Sequence, residues 1–354
     1  MNIVIVSAHR FWGIGGMEKV ISILVKQLIH YGDTVTLIAR KGSNTSGWAN
    51  EIPYHEICSC GGLKGIFFCW QLTNLLNQIR PDIIIAVDHR AIFYSRLYRW
   101  LRSKEVRLGS WMHQTIANFG KSDAARLKTV DFHLTISSGS VKKLKKLIFP
   151  SANNVHLVYN PVLLGSYLIP RPVTPLFLYI GRLVYDREKN VSEFLRALSY
   201  VNGSWKALII GDGPDSERLK NLAEKLEISD RITWLGWVSE PWTHVQAASV
   251  LVLTSKHEGF GLVMVEALSR GIPCISSDCP DGPADIIEHG QNGWFYPSGN
   301  ISELARLLQG VVDDPELLPD QTIVQETSKK FSSEKIVKNI RDILEGEIEI
   351  IRSL

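Results

Sequence analysis

Residues 250–271 read VLVLTSKHEGFGLVMVEALSRG, and this stretch decides the fold of the chain. The apolar run Val250–Thr254 predicts a buried strand, because it is short and rich in valine. A Gly-Phe-Gly loop follows, and Val263–Arg270 then has the apolar spacing of a helix that Gly271 can end. A buried strand that passes through a glycine loop into a helix is the repeating unit of a parallel α/β sheet.

The same alternation extends in both directions along the chain. Other short apolar runs that predict strands are Ile3–Ser7, Thr34–Ala39, Asp82–Val87, Arg107–Trp111, His133–Ile136, Val155–Tyr159, Phe177–Ile180, Ala207–Ile210, Arg231–Leu235 and Pro273–Ser276. Amphipathic stretches that predict helices lie between them, among them Glu18–Tyr31, Phe67–Arg80 and Asp215–Leu226. Strands that alternate with helices in this way predict parallel sheets with crossover helices.

The pattern starts again after a proline-rich connector at 162–175. We therefore predict an α/β protein of two Rossmann-like domains, at residues 1–165 and 166–332, followed by an amphipathic helix, Ser333–Arg352, in the segment 333–354. Two such domains are expected to face each other across a cleft, and ligands of this architecture bind at the carboxyl ends of the strands. Functional residues should therefore come directly after strands.

The composition of the 354 residues, 45% hydrophobic and 21% charged, is that of a globular protein. The sequence contains no apolar run long enough to span a bilayer, and its first residues read as a strand and not as a signal peptide, so we expect a cytoplasmic protein. The five cysteines lack the spacing of a metal or redox pair and are predicted to be thiols. They are Cys58, Cys60, Cys69, Cys274 and Cys279.

Charge is unevenly distributed, because residues 1–165 contain 20 Lys and Arg against 9 Asp and Glu, whereas the remainder contains 19 against 27. A basic first half suggests an anionic partner, for which nucleic acid, a phosphorylated glycolipid and a membrane surface are candidates. The segments 94–104 and 141–149 mix cations with apolar residues, as interfacial helices do, although each alone is better explained as a packing helix with a solvated basic face. We expect reversible attachment to the anionic inner leaflet and no nucleic-acid binding.

Two carboxylates bracket the Gly-Phe-Gly loop. Glu258 stands in the loop, and Glu266 lies about two helical turns further on. A carboxylate at the deeper position suits the two hydroxyls of a ribose, and the one in the loop would face a sugar. The alternative is that Glu258 is an acid at a helix N-terminus and that Glu266 lies on a solvated helix face.

Two cations follow the strand Phe177–Ile180, since Arg182 comes two residues after it and Lys189 seven residues later. Such a pair can neutralise a diphosphate and stabilise the charge that develops as it leaves. Surface ion pairs with Asp186 and Glu188 are the alternative. No Asp-x-Asp occurs in the chain, so we predict no metal ligands.

Glycine loops follow two further strands. Gly211-Asp-Gly213 comes after Ala207–Ile210, where a plain turn is an equally good interpretation. In the first half, Gly15 and Gly16 precede a helix, but the loop is not Gly-x-Gly-x-x-Gly, which argues against a dinucleotide oxidoreductase. His113 follows the strand Arg107–Trp111, where a ligand would bind.

Together, Glu-x7-Glu with Gly-Phe-Gly, Gly-Arg-Leu with Lys-Asn, Gly-Asp-Gly and Gly-Gly-Met-Glu resemble glycosyltransferase family 4 over nearly the whole chain. The resemblance implies a retaining enzyme of the GT-B fold that needs no metal or other cofactor, and a C-terminal helix that crosses back to the first domain. It also implies a nucleotide-sugar site. The residues that it places there are Gly15, Gly16, His113, Arg182, Lys189, Gly211, Glu258, Phe260, Gly261, Leu262 and Glu266.

The implied roles follow the chemistry of those groups. The Gly16 amide binds the distal phosphate, Arg182 and Lys189 clamp the diphosphate, and Glu266 binds ribose. The amides of residues 260–262 complete the cradle for phosphate and sugar. Glu258 and His113 contact the transferred sugar.

Segments 136–139, 159–162 and 271–279 are similar to family members that act on the lipopolysaccharide core of bacteria. This similarity implies UDP-galactose as donor and a glucose of the core oligosaccharide as acceptor. Residues 258–261 differ from the Glu-Gly-Phe-Pro of that branch, which leaves glucose and N-acetylglucosamine open as the transferred sugar. A non-hydrolysing UDP-sugar epimerase and a non-catalytic nucleotide-binding protein are the remaining alternatives.

Overall fold

The computed structural model of the chain describes residues 1–11, 13, 15–43, 48–49, 51–58, 64–101, 106–113, 119–149 and 154–352. The chain divides into two compact units. The first consists of Met1–Val162 with Ser333–Leu354, and the second of Leu163–Ser332. The boundary thus lies at residue 162, where the sequence predicts 165.

The first unit is built on a parallel sheet of seven strands in the order β3-β2-β1-β4-β5-β6-β7. The strands are β1 (Asn2–Val6), β2 (Thr34–Arg40), β3 (Tyr54–Ile57), β4 (Ile83–Ala86), β5 (Arg107–Trp111), β6 (Phe132–Thr135) and β7 (Val155–Leu157). The helices are α1 (Gly16–His30), α2 (Lys64–Ile79), α3 (His89–Leu101), α4 (Lys121–Leu127) and α5 (Ser138–Ile148). Strand order reverses between β1 and β4, the position where α/β sheets open a crevice.

One face of this sheet is covered by four helices. Apolar side chains of α2, α3, α4 and α5 form a single buried cluster with residues of the strands, including Phe68, Ile92, Leu127 and Leu144. The helices lie on the same face because each connection runs in the same direction along the sheet and crossovers are right-handed. Helix α1 connects strands in the opposite direction and therefore covers the other face.

The second unit contains a parallel sheet of six strands in the order β10-β9-β8-β11-β12-β13. The strands are β8 (Leu176–Ile180), β9 (Lys206–Ile210), β10 (Ile232–Gly236), β11 (Val250–Leu253), β12 (Cys274–Ser277) and β13 (Gly293–Tyr296). The helices are α6 (Val191–Leu198), α7 (Ser216–Lys225), α8 (Leu262–Leu268), α9 (Pro283–Ile286), α10 (Ile301–Asp313) and α11 (Gln321–Ser328).

The last helix, α12 (Ser333–Arg352), belongs to the first unit, as predicted. Its first backbone N–H donates to the carbonyl of Val162 (2.9 Å), and its Glu347 carboxylate pairs with Arg107 on β5. The predicted C-terminal helix that crosses back to the first domain is therefore confirmed.

Two strands that the sequence analysis did not predict, β3 and β13, are both at sheet edges, where short half-polar runs are common. None of the described helices is both long enough and apolar enough to cross a membrane.

Candidate functional site

The predicted residues of the second unit lie together at the carboxyl ends of its strands. Arg182 and Lys189 follow β8, Gly211 follows β9 and Glu258 follows β11. These strands are neighbours in the order β9-β8-β11, and all are parallel. Their carboxyl ends therefore bring the predicted cations, the glycine turn and the acidic loop together.

Lys189 and Glu258 form an ion pair in which Nζ lies 2.6 Å from Oε2. Both side chains are largely buried, and the Ser255 hydroxyl donates to the same Oε2 at 3.1 Å. The sequence predicts that both residues belong to one site but not that they contact each other. The Lys189 amine therefore pairs with Glu258 and not with Asp186 or Glu188, the partners in the alternative interpretation.

The backbone around Lys189 is fixed by the neighbouring loop after β11. Asn190 has a left-handed conformation (φ 48°) and is buried, and its carbonyl accepts a hydrogen bond of 2.9 Å from the Thr254 hydroxyl. The Lys256 backbone N–H donates to the carbonyl of Glu188 at 2.9 Å. These contacts hold the lysine and the acidic loop in register, and they rely on the pairing of β8 with β11.

Arg182 is more exposed than Lys189, and its guanidinium pairs with the carboxylate of Glu188. This contact is the surface ion pair considered above as an alternative. Because exposed pairs contribute about 0–1 kcal/mol, an incoming anion can replace Glu188 at little cost.

Glu266 is buried on α8, so the alternative of a solvated helix face is wrong. Its Oε2 accepts a hydrogen bond of 2.9 Å from the indole N–H of Trp242, which belongs to the 3-10 turn Pro241–His244. The Arg270 guanidinium lies over the same indole ring, 4.5 Å from its centroid, and donates to the backbone carbonyl of Glu266 at 2.8 Å. The carboxylate is thereby held in one orientation.

The Gly211-Asp-Gly213 turn has a packing reason of its own. Gly211 has φ 135°, and a methyl group there would overlap with the carbonyl oxygen of Gly181. A methyl group on Gly213 would likewise overlap with the carbonyl of Leu183. The glycines therefore allow the loops after β8 and β9 to pack closely, whether or not a ligand is bound.

Gly261, with φ 100°, is the N-cap of α8, and Leu262 is the first residue of that helix. Phe260 is buried, and its ring packs edge-on against Phe331 with the centroids 5.5 Å apart. The phenyl group thus anchors the loop, so a contribution of Phe260 to ligand binding would come from its backbone.

The sequence analysis missed the loop after β12. Asp281 is buried with φ 85° and pairs with Glu258 in an isolated parallel bridge. The Gly282 N–H donates to the Glu258 carbonyl at 3.2 Å, and a methyl group on Gly282 would overlap with the backbone of Phe260. The Asp-Gly dipeptide before Pro283 was a turn signal that could have revealed this support.

In the first unit, α1 begins at Gly16, and Gly15 is its N-cap. A Cβ on Gly15 would lie 2.6 Å from Oε2 of Glu18, so the buried Glu18 carboxylate is close to the loop backbone. Ile14, in the same glycine loop, lies outside the described residues.

His113 follows β5, as predicted. Its ring packs edge-on against Trp111 with the centroids 4.3 Å apart, and both ring nitrogens are buried. Burial lowers the pKa of His113 to about 3, against an opposing polar contact with Asn160. The imidazole is therefore neutral at pH 7 and can exchange hydrogen bonds with a sugar without carrying charge.

Two further histidines, which the sequence analysis did not single out, lie at the carboxyl ends of β1 and β4. The Asp88 carboxylate is buried and accepts hydrogen bonds from the backbone N–H groups of Ala8 (2.7 Å) and Ala91 (2.8 Å). It thereby ties the two loops together. The rings of His9 and His89 stand edge to face with their centroids 6.0 Å apart, and Nε2 of His9 lies 4.0 Å from Oδ1 of Asp88.

The cysteines of the described segments are free thiols. Cys60 lies outside those segments, as do Arg102 and Lys104 of the predicted interfacial segment. Burial and the nearby Glu258 carboxylate raise the pKa of Cys279 to about 11, so this thiol is protonated at neutral pH. Among the described residues, no group of three or more His, Cys, Asp and Glu could hold a metal ion.

Comparison with known proteins matches both halves of the chain to glycosyltransferase families. Residues 14–164 match the family model of Glycosyltransferase Family 4, and residues 171–331 match that of Glycosyl transferases group 1. The lipopolysaccharide 1,6-galactosyltransferase of Salmonella typhimurium is 32% identical over 351 residues, which cover 95% of this chain and 97% of that protein. The Escherichia coli protein of the same name is 34% identical over 310 residues, or 84% of this chain and 85% of that one.

Among solved structures, the apo form of the lipopolysaccharide outer core galactosyltransferase WaaB is similar, with a TM-score of 0.88 and 31% identity. The match covers 98% of this chain and 100% of that one. With matches of this extent in sequence and in structure, the chain belongs to glycosyltransferase family 4 and is a sugar-transferring enzyme of the GT-B fold.

Proposed function

We propose that the enzyme transfers a hexose from a UDP-sugar to the lipopolysaccharide core, and specifically galactose from UDP-galactose in an α-1,6 linkage. The observation that carries the proposal is the Lys189–Glu258 pair beside Arg182 at the carboxyl edge of the second sheet. The names of the two lipopolysaccharide galactosyltransferases that are similar over most of the chain support the choice of sugar and acceptor.

In this proposal the second unit binds the donor through its diphosphate. Arg182 and Lys189 are each paired with a carboxylate. A diphosphate takes the place of Glu188 on Arg182, since that pair is exposed and weak. It also shares Lys189 with Glu258, which moves the acid towards the sugar. The ribose hydroxyls bind to Glu266, whose carboxylate is already oriented by Trp242.

The reaction breaks the bond between the anomeric carbon and the β-phosphate oxygen, and it forms a bond from the same carbon to the acceptor oxygen. The acceptor hydroxyl approaches on the face from which UDP leaves, so the anomeric configuration is retained. The β-phosphate takes the proton of that hydroxyl. Arg182 and Lys189 stabilise the charge that accumulates on UDP, so we propose that no metal or other cofactor is required.

Glu258 and His113 are assigned to the transferred sugar. A carboxylate near the anomeric carbon stabilises the positive charge that develops there as the leaving group departs. His113 is neutral at pH 7 and is suited to a hydroxyl of the sugar. Gly15, Gly16, Gly211, Gly261 and Leu262 are assigned to the donor through their backbone groups.

The acceptor would be anchored in a membrane, so we also propose that the enzyme acts at the cytoplasmic face of the inner membrane, as a peripheral protein. The excess of cations in residues 1–165 supports this location. A positively charged surface is attracted to anionic lipid over about one Debye length.

A panel of UDP-sugars tested on defined truncated lipopolysaccharide acceptors would test the proposal. We expect transfer from UDP-galactose to an acceptor that ends at the core glucose, with release of one UDP per sugar transferred. Preference for UDP-glucose or UDP-N-acetylglucosamine would change the identity of the transferred sugar but not the type of reaction. Conversion of the UDP-sugar without any acceptor would instead identify an epimerase and refute the proposed transfer.

A further inference from the structure

Helices α2 and α3 of the first unit present large apolar side chains to solvent. On α2, Trp70 is 60% exposed, and its ring stacks on that of Phe67 with the centroids 6.0 Å apart. On α3, Phe93 is 59% exposed and Trp100 76% exposed. Leaving so many aromatic groups in water is unfavourable, and such clusters mark interaction surfaces.

The exposed apolar side chains of α3 follow helical spacing, and α2 packs beside α3. Along α3 the exposed apolar residues are Phe93, Leu97, Trp100 and Leu101, at intervals that place them on a single face. The two helices are packed together through Phe68 and Tyr94, whose ring centroids are 4.9 Å apart. We call the exposed apolar side chains of this pair the aromatic face. It consists of Ile66, Phe67, Trp70, Phe93, Leu97, Trp100 and Leu101.

The helices beside the aromatic face are strongly basic. Helices α3, α4 and α5 together carry nine Lys and Arg residues and one acid, Asp123. On the other side of the sheet, α1 and α12 carry six Lys and Arg and six acids. The positive charge of the first unit is therefore concentrated on the helix layer that also bears the aromatic face.

Helix α5 repeats the combination on a smaller scale. Four lysines, Lys142, Lys143, Lys145 and Lys146, occupy two turns, and Phe149 directly after the helix is 73% exposed. The buried residues Leu144 and Ile148 fix which side of α5 faces the core. The basic side chains are thus left on the outer surface of the layer.

We propose that the aromatic face is a membrane-docking surface, in which Trp70, Phe93 and Trp100 enter the interfacial region of an anionic bilayer while the cations of α3 to α5 contact lipid headgroups. Charge selects a lipid surface over a protein partner, because protein interfaces are depleted in lysine whereas anionic lipid attracts it. Tryptophan is the side chain that favours the boundary between headgroups and acyl chains. The inference rests on the proposed function in one respect, because a lipid-linked acceptor explains why the enzyme would dock on a membrane. The exposed aromatic side chains and the basic helices are evidence for the surface that does not depend on that function.

Flotation with vesicles separates the contribution of the aromatic face from that of charge. The purified full chain is mixed with phosphatidylcholine vesicles, or with vesicles that also contain about 30 mol% phosphatidylglycerol. We expect binding to the second kind only, and weaker binding as salt is raised. The double variant Trp70→Ser, Trp100→Ser should bind at least about tenfold more weakly, a loss of about 1.4 kcal/mol.

A matched control is Tyr200→Ser, since Tyr200 is 68% exposed and belongs to the second unit, so it is not part of the aromatic face. This control should float like the wild type, and thermal unfolding should show that the double variant is still folded. The proposal is overturned if the folded double variant floats as well as the wild type. It is also overturned if the wild type does not bind anionic vesicles. A third result that would overturn it is a wild-type dimer in light scattering that the double variant does not form.

A second experiment distinguishes failure of the docking proposal from failure of the proposed reaction. Transfer is measured to a membrane-embedded acceptor and to the same acceptor after deacylation, which makes it soluble. The double variant should lose activity on the embedded acceptor and keep it on the soluble one. If the wild type floats but transfers to neither acceptor, the proposed reaction is wrong and the docking surface remains.

Discussion

Replacement of Trp242 by Phe tests whether Glu266 is held ready for the donor. The substitution keeps most of the apolar ring under Arg270 but removes the indole N–H, which donates to the Glu266 carboxylate at 2.9 Å in a buried environment. A hydrogen bond to a charged group contributes about 1.5–3 kcal/mol. We expect Trp242→Phe to lose about that much stability and to bind UDP about tenfold more weakly, since a carboxylate that has lost this hydrogen bond is less well ordered before the ligand binds.

Trp205→Phe is the matched control within the same unit. The Trp205 indole is also buried, donates to a backbone carbonyl (Val201, 3.0 Å) and lies under an arginine, Arg231. It should lose about 0.5–1.5 kcal/mol of stability, the contribution of a hydrogen bond to a neutral acceptor, and keep the wild-type affinity for UDP. Calorimetric titration with UDP and thermal unfolding measure the two effects separately. Wild-type UDP affinity in a folded but destabilised Trp242→Phe variant would refute the role of Glu266 as a pre-oriented ligand.

Three other predictions follow from the geometry. Glu188→Gln releases Arg182 from its exposed ion pair and should tighten UDP binding by about two- to threefold in titration, and weaker binding would contradict the proposed exchange. Gly282→Ala overlaps with the backbone of Phe260 and should cost about 1–3 kcal/mol in denaturant unfolding together with most of the activity; a variant of wild-type stability would show that the loop after β12 is not tightly packed. Burial lowers the pKa of His133 to about 4, so on acidification the unfolded chain binds a proton near pH 6.5 whereas the folded chain does not. Between pH 6.5 and 5 this histidine should therefore lower the free energy of unfolding by about 2 kcal/mol. In His133→Asn, the free energy of unfolding should depend less steeply on pH over that range.

Sequence patterns predicted most of the fold because buried parallel strands leave a clear signal. Runs such as Val250–Thr254 are apolar on both faces, and turns with glycine or proline delimit them. The edge strands β3 and β13 lacked this signal, since Tyr54–Ile57 and Gly293–Tyr296 are short and only partly buried. The pattern therefore identified every interior strand and the edge strands β7 and β10, and it missed the edge strands β3 and β13.

The candidate site was predictable as a set of residues but not as a set of contacts. Arg182, Lys189 and Glu258 were found because each follows a buried strand. That Lys189 would pair with Glu258, 69 residues away, depends on the adjacency of β8 and β11. The bond from Trp242 to Glu266 depends on tertiary packing in the same way. Asp88 and its two histidines were missed because nothing in their local sequence distinguishes a tie between loops from ordinary loop residues.

A crystal structure of the enzyme with UDP tests the central claim most directly. The account predicts that the diphosphate lies within hydrogen-bonding distance of the Lys189 amine and the Arg182 guanidinium, and that the ribose hydroxyls contact Glu266. Replacement of Lys189 by Met should abolish that density at the same UDP concentration. UDP bound in a different place, or bound equally well with Met at position 189, would contradict the account.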